Sequence, residues 1–202
     1  MYNPAADYDA LYTEYPERWD LIRIDETRFA VMAETLPEQP ESLLDIGCGS
    51  GHTLEYFAKR WGAVQYYGID PSPVAVKYAR ARIPGAFIRC ETLEDTTMRE
   101  MDVVLLGGVM EHVEQLAYGF YRLGQIVAKS GIVYLEVPNC IAYQDAHGEG
   151  FYRLREKSQA EWHRTRESWE DVILNNGFTI VRSVIGPEKF NEFIWILKRS
   201  EE

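Results

Sequence analysis

The strongest constraint on the fold lies at residues 43–51 (LLDIGCGSG), where an apolar segment leads directly into a turn that contains Gly47, Gly49 and Gly51. Glycine adopts positive φ angles easily, and its lack of a side chain lets a ligand approach the backbone. When a helix follows such a turn, its first N–H groups point at the ligand. The segment predicts a strand, a turn and a helix that bind a nucleotide-like molecule. A tight turn without a ligand is the alternative that the pattern leaves open.

Two side chains near this turn indicate which ligand it favours. A dinucleotide motif, G-x-G-x-x-G, requires glycine at position 52, where this chain has His52. Asp45 would place a carboxylate against a pyrophosphate and repel it. The same carboxylate would attract the sulfonium and ammonium groups of S-adenosylmethionine. The turn therefore favours a cationic adenosyl ligand over a dinucleotide.

A further acidic residue supports a nucleoside ligand. Residues 64–69 (VQYYGI) predict a buried strand, and Asp70 follows it about twenty residues after the glycines. Rossmann-type folds place at this point an acid that holds both ribose hydroxyls, because a carboxylate offers two acceptor oxygens. Alternatively, Asp70 caps the next helix, although Ser72 is able to fill that position. With Ser72 as the cap, we expect Asp70 to be free for the ligand.

With these residues the chain resembles the class I S-adenosylmethionine-dependent methyltransferases. It is most similar to the small-molecule group that includes the ubiquinone-biosynthesis O-methyltransferases and methyltransferase types 11 and 23. The resemblance covers residues 40–199, with a fourth strand at 102–106, a turn at 109–113 (VMEHV) and a fifth strand at 131–137. It implies an α/β fold, a Rossmann-like doubly wound sheet of seven strands that is mostly parallel, with the last strand antiparallel.

The rest of the chain agrees with that architecture, since short apolar runs alternate with segments of helical periodicity. The pattern predicts further strands at residues 86–90, 179–185 and 193–198, and helices at residues 16–36, 53–60, 73–82, 116–127 and 167–175.

Two parts of the chain fall outside the sheet pattern. Residues 1–40 form an N-terminal helical arm rich in aromatic residues, which is either a lid over the cofactor or a packing segment. Residues 41–202 form the methyltransferase domain. Within it, residues 138–166 are polar and irregular and are interpreted as a partly ordered substrate cover, because long loops in compact domains are commonly functional. The aromatic residues of the arm are Tyr2, Tyr8, Tyr12, Tyr15 and Trp19.

The resemblance also implies which residues bind the cofactor. The turn would line the methionine part, the acid after the second strand would hold the ribose, the turn after the third strand would meet adenine, and two glycines after the fourth strand would offer carbonyls to the ammonium. Either polar residue after the third strand could instead be a solvated turn residue. The candidates, in that order, are Asp45, Gly47, Cys48, Gly49 and Gly51; Asp70 and Pro71; Glu91, Thr92 and Leu93; and Gly107 and Gly108.

Histidine is the candidate catalytic residue type, because transfer to a hydroxyl requires a base and the pKa of imidazole lies near neutrality. His112 follows the fourth strand and is either a general base or a structural residue. His147 and His163 are weaker candidates, more typical of surface residues. Glu111 is expected to be structural, pairing with a neighbour. Ubiquinone-type enzymes have Glu-x-x-Glu-His here, whereas this chain has Gly108 at the first acidic position, so no metal requirement is predicted.

Composition limits the remaining function classes. The net charge of −11 over 202 residues opposes binding to nucleic acid, whose affinity comes largely from Lys and Arg. The three cysteines have no C-x-x-C spacing, and no leader or membrane-spanning segment is recognisable. A single cytoplasmic domain without membrane insertion is expected.

The leading interpretation is methyl transfer from S-adenosylmethionine to a small molecule, with S-adenosylhomocysteine as product. Oxygen is the expected acceptor atom, since the chain lacks the Asn/Asp-Pro-Pro-aromatic turn of many amino-methyltransferases. A catalytically silent S-adenosylmethionine-binding regulatory or scaffold protein is the alternative. An NAD-dependent oxidoreductase is disfavoured by His52 and Asp45.

Overall fold

The computed structural model describes residues 9–10, 12–13, 26–139, 150–153, 160–185 and 192–201. Its α-helices are α1 (Glu26–Thr35), α2 (His52–Trp61), α3 (Pro73–Arg82), α4 (Leu116–Ile126) and α5 (Arg166–Asn175). Its strands are β1 (Ser42–Ile46), β2 (Gln65–Ile69), β3 (Phe87–Arg89), β4 (Met101–Gly107), β5 (Val127–Pro138), β6 (Gly150–Arg153), β7 (Ala160–His163), β8 (Phe178–Ile185) and β9 (Glu192–Arg199). A short 3-10 helix, Met110–His112, lies between β4 and α4.

The main sheet has seven strands in the order β3-β2-β1-β4-β5-β9-β8. Strands β1 to β5 pair in parallel, whereas β9 is antiparallel to both β5 and β8. This confirms the doubly wound sheet with an antiparallel last strand. The strand order reverses between β1 and β4, and open sheets bind ligands at the carboxyl ends of the strands beside such a reversal.

Apolar side chains cover both faces of the sheet, as the continuous apolar runs of buried parallel strands require. On one face, α1, α2 and α3 pack around Phe29, Phe57 and Ile196. On the other face, α4 and α5 pack around Phe120 and Trp169.

Local sequence explains where the helices begin. Helix α3 starts with Ser72, whose Oγ accepts a hydrogen bond from the Ala75 N–H, and Pro73 occupies its first turn. Helix α5 starts in the same way, since the Thr165 side chain accepts from the Ser168 N–H. Helix α2 instead follows Gly51, which has a left-handed backbone conformation.

Two predictions about the elements are wrong. Strand β5 begins at Val127 rather than at residue 131, because it pairs first with Met101 and, after a register shift, continues opposite Val103. The cover segment is not irregular throughout, since β6 and β7 form an antiparallel two-stranded sheet. Of the helix predicted at 16–36, residues 16–25 lie outside the described part. No described helix is both long and apolar enough to cross a bilayer.

Candidate active site

The glycine turn after β1 has the predicted conformation. Gly47, Gly49 and Gly51 have φ angles of 71°, 53° and 86°. The N–H groups of Gly47 and Cys48 donate to the carbonyl oxygen of Ile69 over 2.8 and 3.0 Å, which joins the turn to the end of β2. A Cβ atom on Gly47 would lie 2.5 Å from Cγ2 of Val109. Both the backbone conformation and the available space therefore require glycine at position 47.

Asp70 lies at the end of β2 and is buried. We predicted that its carboxyl group would be free, but it accepts hydrogen bonds from the backbone. Its Oδ2 accepts from the Gly49 N–H over 2.9 Å, and its Oδ1 accepts from the Ser72 N–H over 2.9 Å. The prediction that Ser72 caps α3 is nevertheless confirmed. Because each carboxylate oxygen accepts more than one hydrogen bond, Asp70 is able to hold the turn and also receive a hydroxyl.

The carboxyl ends of β1 and β2 together suit a cationic nucleoside. Asp45 is 5% exposed and Asp70 is 6% exposed, so two carboxyl groups are buried where the strands end. Cys48 is also buried, and its Sγ lies 2.9 Å from the position that a Cβ on Gly68 would occupy. Buried carboxylates together with bare backbone match a ligand that carries a ribose and positive charge. The residues present therefore fit S-adenosylmethionine.

The residues proposed for adenine binding take part in a local turn after β3. Glu91 accepts from the Thr96 hydroxyl over 2.9 Å. The Thr92 hydroxyl donates to the Asp95 carboxylate over 2.9 Å. Leu93 is buried in the core. These contacts fix the shape of the turn, and adenine recognition there stays a prediction.

Part of the N-terminal arm contacts the start of α3, next to Asp70. Oδ1 of Asp9 accepts from the Ser72 hydroxyl over 2.9 Å and from the Val74 N–H over 3.2 Å. Tyr12 is 3% exposed. Asp9 and Asp70 are thus joined through Ser72, and no pattern in the sequence predicted this contact. The other aromatic residues that we singled out in the arm lie outside the described residues.

The turn after β4 carries Glu111 and His112 in a 3-10 helix. Glu111 is 3% exposed, and its Oε1 lies 3.8 Å from Nε2 of His112. The expected pairing of Glu111 with a neighbour is present. His112 follows the carboxyl end of β4. This position is compatible with a general base and with a structural residue.

The hairpin of β6 and β7 packs against this turn. The Trp162 indole N–H donates to the carbonyl oxygen of Val113 over 2.9 Å. His163, next to it, is 1% exposed, so the expectation of a surface position is wrong. Packing explains the burial of His163, since β7 contacts the 3-10 helix. His147 lies outside the described residues.

A group of polar side chains at the end of β5, which we call the β5-end cluster, comprises Arg28, Tyr134, Glu136 and Glu192. Glu136 accepts from Arg28 at both carboxylate oxygens, with Arg28 Nε at 3.1 Å from Oε2. The Tyr134 hydroxyl donates to Oε2 of Glu136 over 2.9 Å. A Cβ on Gly107 would lie 2.8 Å from Nη2 of Arg28, so the guanidinium fills space beside the glycine that was predicted to face an ammonium.

Burial and charge change the ionisation of this cluster. Burial raises the pKa of Glu192 to about 9, assisted by the charge of Glu136 and opposed by that of Arg28. Burial also raises the pKa of the Tyr134 phenol. For Arg28, burial opposes the charge but Glu136 outweighs it, so its pKa is raised.

Sequence reasoning missed this cluster. Glu136 offered a signal, because it is a charged residue inside the apolar run of β5. Arg28 and Glu192 offered none. Within the described ranges, no group of three or more His, Cys, Asp or Glu residues could hold a metal ion.

The sheet order, the glycine turn and the buried acids define the class I S-adenosylmethionine-dependent methyltransferase fold. Residues 20–183 match a family model described as "Methyltransferase domain", and the chain belongs to this family.

Two curated relatives and one solved structure are similar to this chain. A trans-aconitate 2-methyltransferase from Methylobacterium radiotolerans is 29% identical over 141 residues, which cover 68% of this chain and 52% of the relative. A ubiquinone biosynthesis O-methyltransferase from Nitrobacter winogradskyi is 36% identical over 96 residues, covering 45% of this chain and 36% of the relative. A solved 1,6-didemethyltoxoflavin-N1-methyltransferase from Burkholderia thailandensis, with bound 1,6-didemethyltoxoflavin and S-adenosylhomocysteine, superposes with a TM-score of 0.74 at 15% identity, covering 100% of this chain and 92% of that one. The chain spans about half or less of the length of these curated relatives.

Proposed function

We propose that the protein transfers a methyl group from S-adenosylmethionine to a small-molecule acceptor, at an oxygen atom. The observation that carries this proposal is the glycine turn with buried carboxyl groups at the ends of β1 and β2. Family membership and the bound S-adenosylhomocysteine of a structural neighbour support the choice of ligand.

Specific residues would hold each part of the cofactor. Asp45 and the turn from Gly47 to Gly51 would hold the methionine part, and Asp70 would accept the ribose hydroxyls. Gly108, whose φ angle is 71°, would expose backbone beside them. The cofactor supplies a methyl group on a sulfonium, which is already an activated leaving group.

The protein has to align the acceptor with the methyl group, exclude water and remove the proton of the acceptor hydroxyl. Alignment converts the transfer into an effectively unimolecular step. His112 is the proposed base, since imidazole accepts a proton near neutral pH. Glu111 beside it would favour the protonated imidazole that results. The hairpin of β6 and β7 is the proposed cover over the acceptor.

The N-terminal arm is proposed to cover the ribose end of the cofactor. Asp9 supports this role, since its hydrogen bonds hold the arm at the start of α3, beside Asp70. The relatives named above support the class of acceptor. Two of them are named for trans-aconitate and for ubiquinone biosynthesis, and these names favour a small molecule as the methyl acceptor.

Calorimetric titration with S-adenosylmethionine, S-adenosylhomocysteine and NAD tests the cofactor. We expect both adenosyl ligands to bind and NAD not to bind. Absence of binding by either adenosyl ligand would contradict the proposal. Labelled S-adenosylmethionine added to metabolite extracts then identifies the acceptor by transfer of the label.

Replacing His112 tests the base. We expect His112→Ala to leave cofactor affinity unchanged and to lower turnover roughly hundredfold, within the usual contribution of a general base. Glu114→Ala, at an exposed position two residues further along the chain, is the control. Unchanged turnover in a folded His112→Ala variant would leave His112 with a structural role.

A further inference from the structure

Within the β5-end cluster, one carboxyl group has an unused hydrogen-bonding atom. Both oxygens of Glu136 accept hydrogen bonds from Arg28, and Oε2 also accepts from Tyr134. The carboxyl group of Glu192 is hydrogen-bonded to Glu136, so one of these two carboxyl groups holds a proton, whereas Oε2 of Glu192 is buried and has no hydrogen-bond partner among the described residues. A buried polar atom without a partner is costly and calls for an explanation. Glu192 is therefore the member of the cluster that is able to respond to a ligand.

The position of Glu192 is at the ligand edge of the sheet. In the antiparallel pairing of β5 with β9, Glu192 lies opposite Pro138 and Ile194 lies opposite Glu136. Because residues two apart in a strand face the same side, Glu192 and Glu136 share one face at the end of β5. The adjoining end of β4 is Gly107, against which Arg28 lies. The cluster thus lies at the carboxyl ends of β4 and β5, where open α/β sheets bind ligands, and away from the turn proposed for ribose.

The charges around Glu192 make its ionisation sensitive to a ligand. The groups that act on it are Glu136, Arg28 and Glu111, so three carboxyl groups share one permanent cation; Tyr134 contacts Glu136 in the same cluster. With a pKa raised to about 9, Glu192 is neutral at pH 7. A nearby cation would favour its ionised form, whereas a nearby anion would hold it neutral and be repelled by Glu136 and Glu111.

We propose that Glu192 is a charge-selective group at the acceptor end of the crevice, which is neutral in the free protein, releases its proton to solvent when a sulfonium binds, and disfavours acceptors that carry carboxylates. The inference rests on the proposed function, because that function supplies the sulfonium. S-adenosylhomocysteine is an uncharged thioether at the same position, so it should leave Glu192 protonated. Glu192 would then favour binding of the cofactor over binding of the product.

Proton release on binding tests this inference without any knowledge of the acceptor. Titrations of the full chain with S-adenosylmethionine at about pH 8.5, in two buffers of different ionisation enthalpy, give the number of protons released. Glu192→Gln resembles the neutral carboxyl group and should fold normally at pH 7. Glu114→Gln makes the same change at an exposed residue and serves as the control.

We expect the wild type and Glu114→Gln to release up to about one proton more than Glu192→Gln on binding S-adenosylmethionine. With S-adenosylhomocysteine the difference between variants should approach zero. Comparing variants with the same ligand cancels any ionisation of the ligand itself. Equal release by the wild type and Glu192→Gln, or an equal difference with both ligands, would overturn the inference. If neither ligand bound the wild type, the proposed function would fail instead.

Two further measurements keep the inference testable if Glu192→Gln does not fold. Glu136→Gln removes the charge that opposes ionisation of Glu192, so release on binding S-adenosylmethionine at about pH 8.5 should fall; full release would overturn the inference. Trans-aconitate, a tricarboxylate, serves as a carboxylate probe for the complex with S-adenosylmethionine. We expect no binding heat, and micromolar binding would overturn the proposed exclusion of carboxylates.

Discussion

The candidate site has a proposed cofactor end, at the ends of β1 and β2, and a proposed acceptor end, at the β5-end cluster, and the two are built in different ways. At the cofactor end, the glycine turn, Asp70 and Ser72 come from one short stretch of chain, and most of their contacts involve backbone N–H groups. At the acceptor end, side chains meet from distant parts of the chain, and the pair of Arg28 and Glu136 spans 108 positions.

This difference separates what is general in the fold from what is particular to the protein. Backbone geometry recognises a ligand that the family shares, because any sequence that forms the turn presents the same N–H groups. Side chains brought together by topology provide the selectivity of one protein. Changes at the cofactor end should therefore remove ligand binding, and changes at the acceptor end should alter charge preference and pH response.

The largest effect is expected for Gly47→Ala. A Cβ there would lie 2.5 Å from Val109, and the φ angle is positive. We expect cofactor affinity to fall roughly hundredfold, because displacing the turn should cost the equivalent of about two hydrogen bonds to the cofactor. The free energy of unfolding should fall by about 3 kcal/mol. Calorimetric titration and thermal unfolding measure the two effects.

Two glycine controls separate the causes. A Cβ on Gly177, also at positive φ, or on Gly85 would meet no atom within 4 Å. Gly177→Ala should cost about 1 kcal/mol from backbone strain alone, and Gly85→Ala should cost little. Equal losses for Gly47→Ala and Gly177→Ala would show that the contact with Val109 is unimportant.

Asp70→Ala should weaken binding of S-adenosylmethionine by about tenfold to hundredfold, the loss of a charge-assisted pair of hydrogen bonds. It also removes the acceptors for the N–H groups of Gly49 and Ser72, so a lower melting temperature is expected. Asp171→Ala, at an exposed position on α5, is the control. Unchanged affinity in folded Asp70→Ala would remove the proposed ribose contact.

At the proposed acceptor end, Glu192 should make the free energy of unfolding of the protein depend on pH. Its pKa is raised from 4.5 to about 9 in the folded state, so between these values the unfolded chain binds fewer protons than the folded one. Stability should therefore fall as pH rises through this window, by at most about 1.4 kcal/mol per pH unit. Glu192→Gln should unfold at a higher temperature than the wild type at pH 8 and at a similar one near pH 4. Parallel pH profiles in thermal unfolding would contradict this assignment.

The smallest effect is expected for Asp9→Ala. Losing its hydrogen bonds to Ser72 and Val74 should cost about 1 kcal/mol, as for other helix caps. If the arm covers the ribose, S-adenosylhomocysteine should dissociate about fivefold faster, which stopped-flow displacement would measure. Asp9→Asn, which keeps an acceptor oxygen, should show less of both effects. An unchanged dissociation rate would leave the arm as a packing segment.

Sequence patterns predicted the sheet and the cofactor end because both depend on local features. Apolar runs and helical periodicity are properties of short, contiguous segments, and glycine and proline indicate the turns between them. The patterns failed where tertiary contacts decide. Strand β5 begins early through a register shift opposite β4, and His163 is buried because its hairpin packs on the 3-10 helix. Asp70 was expected to be free, but the folded turn gives its oxygens two backbone N–H groups.

The contacts of Arg28 with Gly107 and Glu136 limit how these three positions can be varied in a mutational library. A side chain at position 107 would displace the guanidinium, and removing the guanidinium would leave the carboxylate of Glu136 buried without its cation. A library that randomises one of these positions alone should return few folded variants, apart from close substitutes such as Glu136→Gln that keep an acceptor oxygen for Arg28. Randomising all three together is the route to a different acceptor end on the same cofactor turn.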